Sequence, residues 1–135
     1  MQTQNATPDP KTKNQSEERS RQIDILDRTR AYALQSIKFY RAIPKEPALK
    51  ILGEQYLRAA TSIGANLAEA KAGQSKADFI SKVSIACKET HESLYWLRLF
   101  KDDGSFHHSP LNGLITETEE LIRILSTIIL HSKES

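Results

Sequence analysis

The chain has 135 residues and a net charge of +2, a length that suits one domain with a single hydrophobic core. Its one cysteine, Cys87, excludes an internal disulfide, and no apolar run approaches the ~18 residues of a membrane span. The charge is uneven: residues 1–76 carry 13 Lys/Arg and 8 Asp/Glu, whereas residues 77–135 carry 6 and 9. A basic half and an acidic half can complement each other between subunits or present a basic face to phosphates, and scatter over solvated helix faces is the plain alternative.

The start, Met1-Gln2-Thr3-Gln4-Asn5, lacks the charged-then-apolar pattern of a secretory signal, so a soluble, cytoplasmic protein is expected. Residues 1–20 are polar and contain Pro8 and Pro10, which predicts a disordered tail ahead of a bundle domain over residues 21–133. The first helix is predicted from Glu17 or Gln22 to Ala42, with Ile23, Leu26, Ala33, Leu34, Ile37 and Tyr40 inward. Pro44 and Pro47 end it and start the next, Pro47 falling at the tolerated first position.

The second helix is predicted to end near Ala72, with Gly73 as its stop. Leu49, Leu52, Tyr56, Ala59, Ala60, Ile63, Leu67 and Ala70 form its core stripe. Ser75 can cap a third helix, with Asp78 three residues later, and Asp102-Asp103-Gly104 breaks it after Lys101. A fourth opens near Ser109-Pro110 and reaches His131, with Leu111, Leu114, Thr118, Leu121, Leu125 and Ile128 inward. Four amphipathic helices, short connections and no strand pattern predict an all-α, antiparallel up-down-up-down four-helix bundle.

Two features exceed what such a bundle needs. On the third helix, Phe79, Val83, Ala86, Thr90, Leu94 and Leu97 share the bundle face, while Ile85, Trp96 and Leu99 fall on roughly the opposite side near Tyr95 and Glu92. That second stripe predicts an intersubunit contact, with Trp96 as its anchor. On the second helix, Arg58, Ser62, Ala65 and Glu69 form a flank, with Asn66 between flank and core. Asn66 and Glu69, facing Lys82 and Glu89 of the third helix, read as a polar network that fixes register; ligand or RNA contact is the alternative.

No reaction chemistry is laid out. Di-iron bundles need Glu-x-x-His pairs, but His91 is preceded at that spacing by Lys88 and His131 by Ile128. His107-His108 fall in a predicted loop, and no Gly-rich phosphate loop follows a strand. Glu89 and Glu92, with Lys82 and Lys88 nearby, read as ion-pairing groups. The expectation is a non-enzyme with no catalytic residue, metal, cofactor or small-molecule substrate.

The stretch Thr61-Ser62-Ile63-Gly64-Ala65-Asn66, followed by Glu69-Ala70, resembles the signature of the bacterial four-helix-bundle proteins encoded in intervening sequences of 23S ribosomal RNA genes. Ser75 to Lys82 and Ile85 to Arg98 resemble one branch of that family, and the likeness covers roughly residues 22–131. Ala70 and Lys88-Glu89 depart from the founding pattern, where Gly and a Gly-Ser pair are common. The resemblance implies an antiparallel bundle, commonly a pentameric ring, with a mostly unassigned role. A nucleic-acid-binding accessory protein of diversity-generating retroelements is similar in fold. RNA is therefore the first partner to consider, with Arg28, Arg30, Lys38, Arg41, Lys45 and Lys50 as its candidate contacts; the alternative is a protein–protein module or accessory scaffold subunit.

Overall fold

The computed structural model describes residues 10–134, with side chains for 15–17 and 25–134. Its helices are α1 (Pro10–Ala42), α2 (Pro47–Lys71), α3 (Lys76–Asp103) and α4 (Leu111–Glu134), and no strand occurs among the described residues. The protein is all-α, and the helices pack as a bundle in which α2 and α3 make the most extensive contact and α1 and α4 the least.

α1 begins at Pro10, upstream of the predicted Glu17 or Gln22. Proline suits the first helical position, and the Lys, Gln, Glu and Arg that follow are good helix formers, so propensity sustains turns that lack an apolar stripe. Residues 10–20 thus belong to the helix rather than to the predicted tail. Residues 1–9 and the side chain of Ile23 lie outside the described residues.

The remaining ends follow from local chemistry. Glu46 caps α2 with both carboxylate oxygens, accepting from the Ala48 and Leu49 amides at 3.2 and 2.9 Å, and Pro47 follows it as predicted. Ser75 Oγ accepts from the Asp78 amide at 3.1 Å and so caps α3, also as predicted. α2 ends at an Ala72 cap one residue before Gly73. Gly104 closes α3 with φ of 71°, a left-handed conformation that a β-carbon would strain.

The stripes of α2 and α4 are buried nearly as the sequence indicates. Leu111, Leu114, Thr118, Leu121, Leu125 and Ile128 are all buried. In α2 the half-buried Leu52 gives way to Gly53. A β-carbon at Gly53 would stand 2.7 Å from Ile43 Cδ1 and 3.2 Å from the Tyr40 ring, so the glycine admits the end of α1. α3 buries Val83, Ala86, Thr90, Leu94 and Leu97 as expected and adds Ser93 and Phe100, while Phe79 is half-buried.

α1 differs from expectation. Its buried face is Ile25, Thr29, Tyr32, Ser36 and Phe39; Leu26, Ala33, Ile37 and Tyr40 are half-buried and Leu34 is 55% exposed. The cause is a line of hydroxyls that the bundle satisfies internally. Tyr32 Oη lies 2.6 Å from Thr118 Oγ1 on α4 and accepts from Tyr56 Oη of α2 at 3.0 Å. Tyr56 Oη lies 2.7 Å from Ser36 Oγ, which donates to the Tyr32 carbonyl at 2.8 Å. Thr29 Oγ1 donates to the Ile25 carbonyl at 2.8 Å. No buried side-chain nitrogen or oxygen among the described residues lacks a partner, which removes the usual cost of burying polar groups.

Burial pushes the phenols of Tyr32 and Tyr56 well above the ordinary tyrosine range. The neutral phenol is therefore favoured in the folded state, and stability should fall as pH rises above ~10, where the unfolded tyrosines ionise and bind fewer protons than the folded ones. In an alkaline titration that follows tyrosinate absorbance and helical circular dichroism together, these two phenols should ionise only as helix is lost. Tyr32→Phe should cost about 1–3 kcal/mol in urea unfolding at neutral pH, because it strips a partner from both Thr118 and Tyr56.

Candidate nucleic-acid interface

Two polar regions lie outside the core. The first is the seam between α2 and α3. Arg58 forms a close ion pair with Glu92 and lies 3.5 Å from Glu89, and Glu92 Oε2 also accepts from Trp96 Nε1 at 3.0 Å. One turn spacing along α3 places both carboxylates and the indole opposite a single guanidinium. Nearer the other end of the seam, Lys82 Nζ donates to Glu69 Oε1 at 2.9 Å. Asn66 stays on its own helix: it is half-buried, and its Nδ2 donates to the Ser62 carbonyl at 2.8 Å. Ser62 Oγ in turn donates to the Arg58 carbonyl at 2.7 Å.

The structure brings Arg58, Glu89, Glu92 and Trp96 into one cluster and Glu69 and Lys82 into another. Small residues of α2 pack inside the subunit: Ala59 and Ala60 are fully buried, and Gly64 faces Thr29 of α1. Trp96 does not stand opposite the bundle face. It is half-buried and packs on the edge of the core, because neighbours on two sides cover a broad arc of α3. Leu99 is half-buried as well, while Ile85 and Tyr95 remain exposed, with the Tyr95 and Trp96 rings edge-to-face at 5.0 Å.

The second region is basic. Arg41, Lys45 and Lys50 are exposed and line one open recess of about 690 Å³ at the α1–α2 turn, together with Tyr40, Ile43, Pro44 and Pro47. None of the three cations has a carboxylate at ion-pair distance among the described residues. The nearby Glu46 is already committed to the α2 amides. Arg30 and Lys38 are exposed on the outer part of α1. Helix geometry puts Arg30 and Arg41 about 16 Å apart along the axis and within about 20° around it. Arg30 therefore lies on the Arg41 side of α1 and extends the basic surface of the recess along the helix.

Arg28 leaves the predicted set. Its guanidinium makes a two-pronged pair with Glu117 of α4, both distances 2.7 Å, in a partly buried setting. Lys38 instead borders a second groove, of about 610 Å³, between α1 and α4. Glu117 could not be assigned to Arg28 from sequence, since 89 positions separate them. The same holds for Arg98 with Glu119 at 3.1 Å.

The family model for the 23S rRNA-intervening sequence protein matches residues 21–127. The chain belongs to this family. A crystal structure of a protein of unknown function from the S23 ribosomal protein family, from Bacteroides thetaiotaomicron VPI-5482, is similar at 32% identity and a TM-score of 0.74. The alignment covers 81% of this chain and 97% of that one. Comparison with curated proteins returns no match. In this chain the signature stretch of α2 gives Glu69 to the seam with α3, while Arg41, Lys45 and Lys50 lie away from it at the α1–α2 turn.

The seam yields a stability test. Glu92→Ala should cost about 1 kcal/mol in urea unfolding, since it releases both Arg58 and the Trp96 indole, and the loss should shrink in a Trp96→Phe background. Glu69→Ala breaks an exposed pair and should change stability by no more than about 0.5 kcal/mol. Equal losses for the two variants would contradict a cluster centred on Glu92.

Proposed function

We propose that this chain is a non-catalytic RNA-binding protein of the cytoplasm that works as a homo-oligomer of up-down-up-down antiparallel four-helix subunits. The observation that carries the reading is the distribution of charge. Arg28, Arg58, Arg98 and Arg123 are each neutralised by a glutamate, whereas Arg41, Lys45 and Lys50 surround one recess with no carboxylate at ion-pair distance, its one acidic residue, Glu46, capping the α2 amides. Unpaired cations gathered at one place suit a phosphate backbone, and their release of counterions supplies the binding energy. The clustered polar groups elsewhere are engaged with one another or with main-chain carbonyls, which supports binding rather than reaction.

Contact order supports the antiparallel arrangement. Glu69 meets Lys82 while Arg58 meets Glu92, and Cys87 lies near Ser126 while Arg98 meets Glu119. Gly64 faces Thr29 while Gly53 faces Ile43, and Arg28 meets Glu117 while Phe39 lies against His108. Assembly, a pentamer by the family resemblance, repeats the three-cation recess and lets weak contacts act together. Exposed Leu34, Ile51, Ile85, Tyr95 and Leu130 supply apolar surface for self-association. The same side chains favour a second reading, a protein–protein module or accessory scaffold without nucleic acid.

RNA binding, followed by fluorescence anisotropy across a salt titration, should weaken steeply as salt rises. An Arg41→Ala/Lys45→Ala/Lys50→Ala variant that keeps its helix content and oligomeric state should lose about tenfold or more in affinity at low salt and show a shallower salt slope. Absence of binding at low salt, or equal binding by the variant, would sink the RNA reading and favour the protein module. Light scattering should report an oligomer at micromolar concentration, and a monomer there contradicts the assembly.

A further inference from the structure

We propose that the recess at the α1–α2 turn seats one unstacked nucleotide of a single RNA strand, its base against Tyr40 and its flanking phosphates on Arg41, Lys45 and Lys50. The inference rests on the RNA reading and specifies the strand and the residue that reads it. A purely electrostatic surface would be flat and polar. This one is concave, about 690 Å³, and combines the Tyr40 ring, Ile43, Pro44 and Pro47 with the three cations. Apolar and aromatic lining beside positive charge matches the two halves of a nucleotide, a π-faced base and a phosphate.

The geometry also selects against a duplex. In a duplex the base faces are stacked on one another and only base edges, 2′-hydroxyls and phosphates are accessible, so a duplex would touch the cations without placing a base face on Tyr40. The neighbourhood leaves room for Tyr40 beside α2. Gly53 has no β-carbon to displace the ring, since one there would lie 3.2 Å from Tyr40 Cδ1. Glu46 is the one acidic residue lining the recess, and both of its oxygens accept from the α2 amides, so its charge is turned to the helix end. Arg30, on the Arg41 side of α1, extends the positive track for the phosphates that follow.

The test compares a short oligouridine with an RNA duplex of equal length, by anisotropy at low salt, for the wild type, Tyr40→Leu and Tyr40→Phe. The wild type should bind the single strand about tenfold more tightly than the duplex, the range expected for one base stacked on an aromatic ring. Tyr40→Leu should bring single-strand affinity down to the duplex level without changing the duplex, and Tyr40→Phe should keep the preference. Uridine monophosphate should also displace the oligonucleotide from wild-type protein at concentrations where inorganic phosphate does not, a readout independent of any variant's folding. Equal binding of both RNAs, or equal displacement by the nucleotide and by phosphate, overturns the nucleotide seat while leaving RNA binding intact. Failure to bind either RNA overturns the RNA reading itself.

Discussion

The buried hydroxyl chain running through Ser36, Tyr56, Tyr32 and Thr118 is the constraint on which the rest of the bundle depends. It joins α1, α2 and α4 where apolar packing alone would tolerate rotation or sliding. A leucine face can shift by a turn at modest cost, but a buried phenol displaced from its partner loses a hydrogen bond it cannot replace with water. α1 has the weakest apolar face and the least contact with α4, so this chain is what sets its rotation. Once α1 is fixed against α2, Ile43 and Tyr40 meet Gly53, and the turn between the helices takes the shape that gathers Arg41, Lys45 and Lys50.

The ion pairs then divide the surface. The glutamates of α3 and α4 are placed to neutralise the arginines of the helix middles, and Glu46 is used at a helix end. The basic first half of the chain is thus only partly visible on the folded surface. Among the described side chains of that half, Arg30, Lys38, Arg41, Lys45, Lys50 and Lys71 are in no ion pair, and all but Lys71 lie on α1 or near the α1–α2 turn. The seam of Arg58, Glu89, Glu92 and Trp96 belongs to the structural side of this division, and the signature residues Ser62 and Asn66 serve their own helix through main-chain carbonyls.

Much of the architecture was legible in the sequence. The α4 stripe and nearly all of the α2 stripe follow from helical spacing of Leu, Ile and Ala, and Ser75 and Pro47 announce helix starts through chemistry local to a few residues. The inward face of α1 escapes hydrophobic periodicity, which searches for apolar side chains. That face uses Thr29, Tyr32 and Ser36, whose burial is permitted only by partners on other helices. Polar residues at three- and four-residue steps, in register with Ile25 and Phe39, were the available signal. A single helical wheel puts Trp96 outward because it ignores that α3 is covered from two sides. Pairings such as Arg28 with Glu117 depend on tertiary contact, so the basic candidates could be named from sequence but not sorted into neutralised and free.

Under the proposed function, RNA meets this protein at Tyr40, Arg41, Lys45 and Lys50 of the α1–α2 turn. Ultraviolet crosslinking of bound single-stranded RNA, with the adducts located by mass spectrometry, tests it most directly. The predicted result is adducts concentrated between Lys38 and Lys50, with Tyr40 foremost. Adducts confined to the α2–α3 seam or to α4, with none on the α1–α2 turn, would contradict the account.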